Sequence, residues 1–380
     1  MSDLGSSLLA DARRICAVPA PLHGEAARGQ LVAQMFEEAG VTPRIDQTGN
    51  VIAWFGPTEE PAAVLAAHLD TVFPVETPIE FTEDGGRVSA PGFGDNSVGV
   101  AALVHLARFL RDIAVERAVA LVATVGEEGL GDLRGAKALL EAIPCRAFVA
   151  VEGQMQDRIT VIAVGSVRLR VRITGPGGHP WSDRDNPNAI HALLQRLSTA
   201  VRELSSPEVA INVNVIGGGT AINVIADSAS AEIDLRCEDE QRLIAAADRL
   251  SEIVTAGLRG ASASDAPLLT AEIAPTSDHV LTAQVERLGH RPGGRIAPDH
   301  PLLEAARRAR SVAGLPPATE DASSTDANAA HGRGIPAITV GVSTGGNAHR
   351  LDDYVDVEPI AAGLRSLEEL TRQLASDPGL

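Results

Sequence analysis

The feature that most constrains the fold is a change of sequence pattern near Gly165 that is reversed from about Pro301. Before Gly165, short apolar runs such as Ala63–Ala67 alternate with helical patterns such as Val98–Leu110. Apolar strands separated by helices predict a mainly parallel sheet with helices on both faces. Between the two points, runs such as Val167–Thr174 alternate apolar with polar residues. That alternation predicts an antiparallel sheet with one packed and one solvated face.

The two patterns predict an α/β protein of two domains. A chain of 380 residues is longer than one hydrophobic core normally supports, which agrees with this division. We expect a discontinuous α/β domain from residues 1–165 and 292–380, with a mainly parallel sheet flanked by helices. Residues 166–291 are expected to form an inserted α+β domain.

Composition excludes several classes of partner. The chain has 32 basic and 50 acidic residues, a net charge of −18, which is the wrong sign for binding a phosphate backbone. Ten aromatic residues (7 Phe, 2 Trp and 1 Tyr) are few for a base-stacking surface. We therefore expect no nucleic-acid partner, and no membrane partner, because no run of about 18 apolar residues occurs. The first residues do not resemble a secretory signal and the three cysteines are widely spaced, so we expect a cytoplasmic protein.

A histidine or a carboxylate follows each of several predicted strands. Ligands meet an open α/β sheet at the carboxyl ends of its strands, so these side chains are predicted to converge. Any one of them alone would be a solvated surface group. Together they include the adjacent carboxylates of Glu127 and Glu128, which repel each other unless cations or protons intervene. The convergence predicts a metal site, and the candidates are His68, Asp95, Glu127, Glu128, Glu152 and His349.

Ligand chemistry suggests which metal, and how many ions. Histidine with carboxylates and without cysteine suits zinc in a hydrolytic site, with cobalt or manganese as alternatives. If five of these six residues are ligands, they exceed the roughly three protein ligands of one catalytic zinc. Five ligands suit two ions about 3.5–4 Å apart that share a carboxylate. Three ligating carboxylates and a bridging hydroxide balance the charge of two divalent ions, which leaves Glu127 free to act as a base. We therefore expect two Zn²⁺ per chain.

The candidate residues lie in five segments: Ala67–Val72, Gly92–Asn96, Gly126–Gly129, Val151–Gly153 and Ala348–His349. Together these segments resemble the co-catalytic zinc peptidases, a family that includes glutamate carboxypeptidase, peptidase T, aminoacylase and succinyl-diaminopimelate desuccinylase. The resemblance covers nearly the whole chain in the right order. It implies a catalytic zinc-hydrolase domain at residues 1–165 and 292–380 and a lid and dimerisation domain at residues 166–291.

The resemblance also implies a role for each metal-site residue. Asp95 would bridge the two ions. His68 and Glu152 would hold one ion, and Glu128 and His349 the other.

Three further residues receive catalytic roles from the resemblance. Asp70 would accept the ring N–H of His68 and so orient that ligand. Glu127 would take a proton from the bridging water and later deliver it to the leaving amine. His179 would reach the oxyanion of the substrate, in many members from the neighbouring subunit, which implies a homodimer formed through the inserted domain. The alternative for His179 is a loop histidine without a catalytic role.

Substrate-binding residues follow in the same way. Asn223 and Arg236 match the positions that hold a substrate carboxylate, although a surface arginine on a strand remains the alternative for Arg236. Ser324 and Thr325 lie in a loop where many members have a run of glycines, so their side chains are expected at the substrate's tail. Asp353 stands where the family usually has glutamate.

These features predict a hydrolase that cleaves a peptide or amide C–N bond in a small substrate with a free carboxylate. A metal-bridging hydroxide would be the nucleophile, and the activity would be of the dipeptidase, tripeptidase or carboxypeptidase type. One alternative is an N-acyl-amino-acid amidohydrolase. A second is a non-catalytic relative that binds a peptide, which the presence of Glu127 and of all five ligands disfavours. A serine hydrolase is disfavoured because Gly341–Gly345, although it spells a nucleophile elbow, is not followed by a helix or by the required order of acid and histidine.

Overall fold

A computed structural model of the protein describes residues 3–256, 258–259, 268–273 and 281–380. The chain forms two units, one of Met1–Ala163 with Gly294–Leu380 and the other of Val164–Gly293. The boundaries predicted after residues 165 and 291 lie two residues from these divisions. The roles of the units in catalysis and as a lid stay predictions.

Helices and strands of the described residues are numbered in chain order. The α-helices are α1 (Asp3–Cys16), α2 (Ala26–Glu38), α3 (Val98–Arg111), α4 (Arg134–Ala142), α5 (Ala189–Leu204), α6 (Glu240–Thr255), α7 (Pro301–Val312), α8 (Ala327–His331) and α9 (Ile360–Ser376). The strands are β1 (Arg44–Ile45), β2 (Val51–Phe55), β3 (Ala62–His68), β4 (Thr82–Asp84), β5 (Arg87–Ser89), β6 (Val119–Thr124), β7 (Cys145–Glu152), β8 (Arg158–Ala163), β9 (Gly165–Thr174), β10 (Ala210–Gly218), β11 (Ser228–Cys237), β12 (Leu258–Arg259), β13 (Leu268–Ile273), β14 (Thr282–Arg291), β15 (Gly294–Arg295), β16 (Thr319–Ser323), β17 (Ala337–Gly341), β18 (Gly345–Gly346) and β19 (Tyr354–Asp356).

The first unit is organised by one large mixed sheet. Its strand order is β1-β2-β6-β3-β7-β17-β8-β15, and β16 also pairs with β8. The central strands β6, β3, β7 and β17 run parallel, whereas β1, β2 and β15 pair antiparallel at the edges. The parallel strands therefore point their carboxyl ends to one edge of the sheet.

Helices cover both faces of this sheet. Leu65 of β3 packs in a core cluster with residues of α1, α2, α3, α7 and α9. Its neighbour Val64 packs on the opposite face in a second cluster with residues of α4 and α8. Every residue of β3 and β6 is buried, as expected for parallel strands covered on both sides.

The second unit is an antiparallel sheet with two helices. The strand order is β10-β11-β9-β14-β13-β12. Buried and half-buried residues alternate along most of β11, and the buried ones pack with α5 and α6 in a third core cluster. Helix α6 ends at Thr255, and residues 258–259 belong to β12.

None of the described helices has the combination of length and apolar character needed to cross a bilayer.

Candidate metal centre

Two of the five predicted ligands end parallel strands of the first unit. His68 is the last residue of β3 and lies opposite Thr124, the last residue of β6. Glu152 is the last residue of β7 and lies opposite Gly341, the last residue of β17. The parallel register thus places His68 and Glu152 at the same edge of the sheet.

Asp95 lies in the turn before α3. Gly92 begins this turn with φ of +72°, a conformation that favours glycine, and its carbonyl accepts a hydrogen bond from the Ser97 hydroxyl (2.6 Å). The main-chain N–H groups of Gly94 and Asp95 both donate to Oδ2 of the buried Asp353, each at 3.0 Å. The Asp95 main chain is therefore held by a carboxylate from the far end of the sequence.

The five predicted ligands meet around the Asp95 carboxylate. Asp95 Oδ1 lies 3.0 Å from His68 Nε2, and Asp95 Oδ2 lies 3.3 Å from His349 Nε2. Glu152 Oε2 is 3.8 Å from His68 Nε2, and Glu128 Oε1 is 3.0 Å from His349 Nε2. One ligand atom each of His68, Asp95 and Glu128 lies within 4.8 Å of the others. Each oxygen of Asp95 thus faces a different histidine, and each histidine has its own second carboxylate.

The electrostatics of this cluster call for positive charge. Burial opposes a charged His68 ring, but the hydrogen bond to Asp95 and the charge of Glu152 raise its pKa well above the ordinary value. Hydrogen bonds to Asp95 and Glu128 raise the pKa of His349 to about 10. Although partial burial opposes the charged form of Asp95, the two histidines hold its pKa well below the usual range.

Glu152 shows the opposite shift in the same cluster. Its burial, together with the charges of Asp95 and Glu127, raises the pKa of Glu152 well above its usual value, against the opposing effect of His68. The negative charge of Asp95 contributes to the raised pKa values of His68, His349 and Glu152. Divalent cations would offset that charge, and the imidazole and carboxylate donors fit them.

Asp70 contacts His68 in a different way from that predicted. The ring nitrogen Nδ1 of His68 is 3.0 Å from the main-chain carbonyl oxygen of Asp70 and 3.8 Å from its carboxylate. The prediction that the carboxylate accepts this N–H is therefore corrected, because the carbonyl of the same residue is the closer acceptor. The Asp70 carboxylate accepts instead the main-chain N–H groups of Glu127 (3.0 Å) and Glu128 (2.7 Å).

His349 lies in the loop between β18 and β19. Its side chain is 57 % exposed, in contrast to the 3 % of His68. Both His349 (φ +65°) and Asn347 (φ +62°) have left-handed backbone, which costs a non-glycine residue about 1–3 kcal/mol. This loop needs support from its surroundings to present the His349 ring at Asp95.

His179 and Asn223 lie on two neighbouring loops of the second unit. Gly178 and Ile225 form a β-bridge that joins the loop after β9 to the loop before β11. The exposed His179 accepts hydrogen bonds at Nδ1 from the main-chain N–H groups of Trp181 (3.2 Å) and Ser182 (3.3 Å). Because these donors keep their hydrogens, a neutral His179 ring carries its own hydrogen on Nε2.

Arg236 does not lie beside Asn223, the residue with which it was predicted to hold a substrate carboxylate. Arg236 lies near the end of β11, opposite Ala210, whereas Asn223 lies in the loop before Ser228, where β11 begins. At the usual rise per residue, Ser228 and Arg236 are about 26 Å apart. Arg236 Nε donates to Asp234 Oδ2 (2.9 Å) on the same strand. Within one chain, Asn223 and Arg236 cannot hold the same carboxylate.

Thr325 does not suit the predicted contact with substrate. Its side chain is buried, and its hydroxyl is 2.7 Å from that of Thr339. Ser324 is half-buried, and its contact with substrate stays a prediction. Ser343 of the apparent nucleophile elbow has no exposed surface, and its hydroxyl donates to the carbonyl of Asp356 (2.6 Å). Both observations also disfavour a serine nucleophile.

Sequence reasoning missed a buried arginine beside the site. Arg28 of α2 is 1 % exposed and donates to the carbonyl oxygens of Val18 and Leu69, each at 2.8 Å. Burial lowers the pKa of Arg28 to about 10. Through its hydrogen bond to Leu69, Arg28 holds the main chain between His68 and Asp70. One arginine in an amphipathic helix carries no sequence signal of such a role.

The fold and the site define a class of protein, a hydrolytic enzyme whose candidate metal ligands lie at the carboxyl edge of an α/β sheet. Residues 64–373 match peptidase family M20/M25/M40. The chain therefore belongs to this family of metallopeptidases, which confirms the resemblance seen in the sequence.

Individual relatives agree with this assignment. A probable carboxypeptidase of Aspergillus clavatus is 26% identical over 264 residues (61% of this chain, 62% of the relative). An acetylornithine deacetylase of Myxococcus xanthus is 31% identical over 192 residues (46% of this chain, 49% of the relative). The chain thus spans less than two thirds of the length of either relative.

Solved structures share the fold. Aminopeptidase PepT from Bacillus cereus has a TM-score of 0.76 at 21% identity and covers 98% of this chain and 99% of its own. A dinuclear metal-binding peptidase of Bacillus subtilis has a TM-score of 0.67 at 17% identity, over 97% and 98% of the two chains. These similarities confirm the predicted α/β fold class.

Proposed function

We propose that the protein is a dinuclear metal hydrolase that cleaves a peptide or amide C–N bond in a small substrate with a free carboxylate. The proposed activity is of the dipeptidase, tripeptidase or carboxypeptidase type. The observation that carries the proposal is the Asp95 carboxylate, whose two oxygens face His68 (3.0 Å) and His349 (3.3 Å). An acidic pair, Glu127 and Glu128, follows β6 beside this centre.

Five residues would hold the metal ions. Asp95 would be shared, with His68 and Glu152 on one ion and Glu128 and His349 on the other. Two Zn²⁺ suit these nitrogen and oxygen donors, with Co²⁺ or Mn²⁺ as alternatives. When bound, the ions supply Lewis acidity and lower the pKa of a water molecule.

Glu127 is the proposed general base. Its main-chain N–H donates to one oxygen of Asp70, while that of Glu128 donates to the other oxygen. Asp70 therefore fixes the two glutamates relative to each other, so that Glu128 serves as a ligand and Glu127 handles protons. Glu127 would take a proton from the attacking water and deliver it to the leaving amine.

His179 is the proposed donor to the substrate oxyanion. His179 Nδ1 accepts hydrogen bonds from the main-chain N–H groups of Trp181 and Ser182. The N–H at Nε2 is therefore available to donate to the substrate. Asn223, on the adjoining loop, would bind the substrate beside it. We propose that both act in the site of the neighbouring subunit of a homodimer.

Arg236 is the proposed anchor for the substrate's carboxylate. A guanidinium matches a carboxylate with paired N–H donors. Arg236 lies about 26 Å along β11 from the loop that contains Asn223. A site formed by residues of two subunits would also account for this separation of Arg236 from Asn223. The proposed anchor thus consists of Arg236 of one chain and Asn223 of its partner.

The alternative function is hydrolysis of N-acyl amino acids. The relative from Myxococcus xanthus is an acetylornithine deacetylase, and the same metal site would serve either bond. A non-catalytic peptide-binding protein is less consistent with a complete ligand set and a base.

Hydrolysis of a defined substrate panel tests the proposal. The zinc-loaded protein is assayed with dipeptides, tripeptides and N-acetyl amino acids, each with a free and an amidated carboxylate, and Glu127→Gln is the control. We expect cleavage of peptides, slower by about 10²-fold or more after amidation, since the Arg236 guanidinium would lose its charged partner. Cleavage of N-acetyl amino acids alone would support the alternative function. No hydrolysis by protein shown to hold zinc would contradict both.

A further inference from the structure

We propose that Gln154 is a positioning residue of the metal centre, an inference that rests on the proposed function. Gln154 follows Glu152 by two residues, after the end of β7. Its amide nitrogen Nε2 lies 2.5 Å from Asp353 Oδ1, 3.0 Å from the carbonyl oxygen of Gly346 and 3.1 Å from that of Tyr354. The two N–H hydrogens of this amide are therefore shared among three acceptors that lie about two hundred residues further along the chain.

The first of these groups connects Gln154 to the bridging ligand. Asp353 has no exposed surface, and its other oxygen, Oδ2, accepts the N–H groups of Gly94 and Asp95, each at 3.0 Å. The Asp353 carboxylate thus joins the Gln154 amide to the main chain of Asp95. Removing the amide would leave one oxygen of a buried carboxylate without this donor and free the carboxylate to turn.

The other two groups connect Gln154 to the loop of His349. Gly346 and Tyr354 stand on either side of residues 347–353, which include His349. Gln154 therefore binds both ends of a loop whose ligand residue has left-handed backbone (φ +65°). Since such a backbone persists only where its surroundings enforce it, these hydrogen bonds help to keep the His349 ring at Asp95.

The surrounding glycines leave room for this amide. A Cβ atom at Gly94 would lie 2.3 Å from Gln154 Nε2 and 2.6 Å from Asp353 Oδ1. A Cβ atom at Gly345 would lie 2.8 Å from Gln154 Cγ. The Asp95 turn and the His349 loop are thus packed directly against the Gln154 side chain.

Gln156 offers a matched control on the same turn. It is also a glutamine, is 5 % exposed, and donates through Nε2 to the carbonyl oxygens of Val342 (2.9 Å) and Pro359 (2.8 Å). Both acceptors belong to the same C-terminal region but lie outside residues 346–354. Loss of Gln156 should therefore affect folding stability without a selective effect on the ligands.

Zinc binding distinguishes the two glutamines. Metal-stripped wild-type, Gln154→Met and Gln156→Met proteins are titrated with Zn²⁺ against a chelator, and their folding is checked by circular dichroism and Tm. We expect Gln154→Met to raise the Kd of the more weakly bound zinc ion about 10–100-fold, the usual effect of losing a hydrogen-bond partner behind a metal ligand. Gln156→Met should leave both zinc Kd values within about threefold, even with a lowered Tm.

Further variants keep the test decisive if Gln154→Met does not fold. Gln154→Ala removes the amide without filling its space, and it should weaken zinc binding similarly. In a double-mutant cycle, Asp353→Asn and Gln154→Ala should be non-additive, because both interrupt one connection to Asp95. Unchanged zinc affinity in the Gln154 variants, equal weakening in Gln156→Met, or full additivity in the cycle would overturn the proposal. Because no turnover is measured, a protein that binds zinc but hydrolyses nothing would contradict only the proposed function.

Discussion

Adjacent glutamates with different proposed tasks are the main feature of the site at the scale of residues. Glu127 and Glu128 are both buried, and the Asp70 carboxylate accepts the main-chain N–H of each. Glu128 Oε1 is 3.0 Å from His349 Nε2, which places that side chain among the candidate ligands. These two hydrogen bonds to the Asp70 carboxylate fix the main chain of both glutamates, which supports separate roles for their side chains.

Replacement of Glu127 by glutamine tests this division of roles. Glu127→Gln keeps the shape but removes the base, so we expect kcat to fall by about 10²–10⁴-fold while metal content and Tm stay near wild-type values. The control is Glu37→Gln, a change on an exposed helix surface, which should alter neither. Steady-state kinetics with metal analysis of the same samples give the answer. A Glu127→Gln protein with more than about a tenth of the wild-type kcat would refute the role.

At the scale of elements, the ends of parallel strands determine where the chemistry lies. His68 and Glu152 were predictable as neighbours because β3 and β7 are apolar runs whose carboxyl ends meet at one edge. The separation of Asn223 from Arg236 was not predictable in this way. It depends on the register in which β10 pairs with β11. Gln154 was missed for a related reason, since a neutral amide has no distinctive pattern and its partners are distant in sequence.

Helix α9 packs closely beside the strand ends. A Cβ atom at Gly363 would lie 1.8 Å from the carbonyl oxygen of Val342, whose own N–H donates to the carbonyl of Glu152 (2.8 Å). Helix propensity alone would make Gly363→Ala stabilising by up to about 1 kcal/mol. We expect the opposite, a loss of about 1–3 kcal/mol in the free energy of unfolding, because overpacking outweighs propensity.

Chemical denaturation measures this loss. Gly217→Ala is the control, because a Cβ atom there meets nothing within 4 Å. Its unfolding midpoint should stay close to that of the wild type. A Gly363→Ala midpoint equal to or above the wild-type value would show that α9 can shift away from Val342.

At the scale of the whole molecule, the inserted unit is proposed to complete the site of a neighbouring subunit. Equal amounts of Glu127→Gln and His179→Ala chains, each inactive alone, are mixed under conditions of subunit exchange. Random pairing of a dimer would restore about a quarter of the wild-type activity, since half the dimers are mixed and each has one intact site. Each variant exchanged with itself is the control. No recovery, in chains shown by mass labelling to exchange, would place His179 outside the neighbour's site.

The central claim is that Asp95 joins two divalent ions in one hydrolytic centre, and counting the ions tests it most directly. Elemental analysis of the active protein, dialysed against metal-free buffer, should find about two ions per chain. Exhaustive chelation should abolish activity, and added Zn²⁺ should restore it. Asp95→Ala should lose affinity for both ions, because each oxygen of Asp95 faces a different histidine. A fully active protein with one ion per chain, or full activity after chelation, would contradict the account.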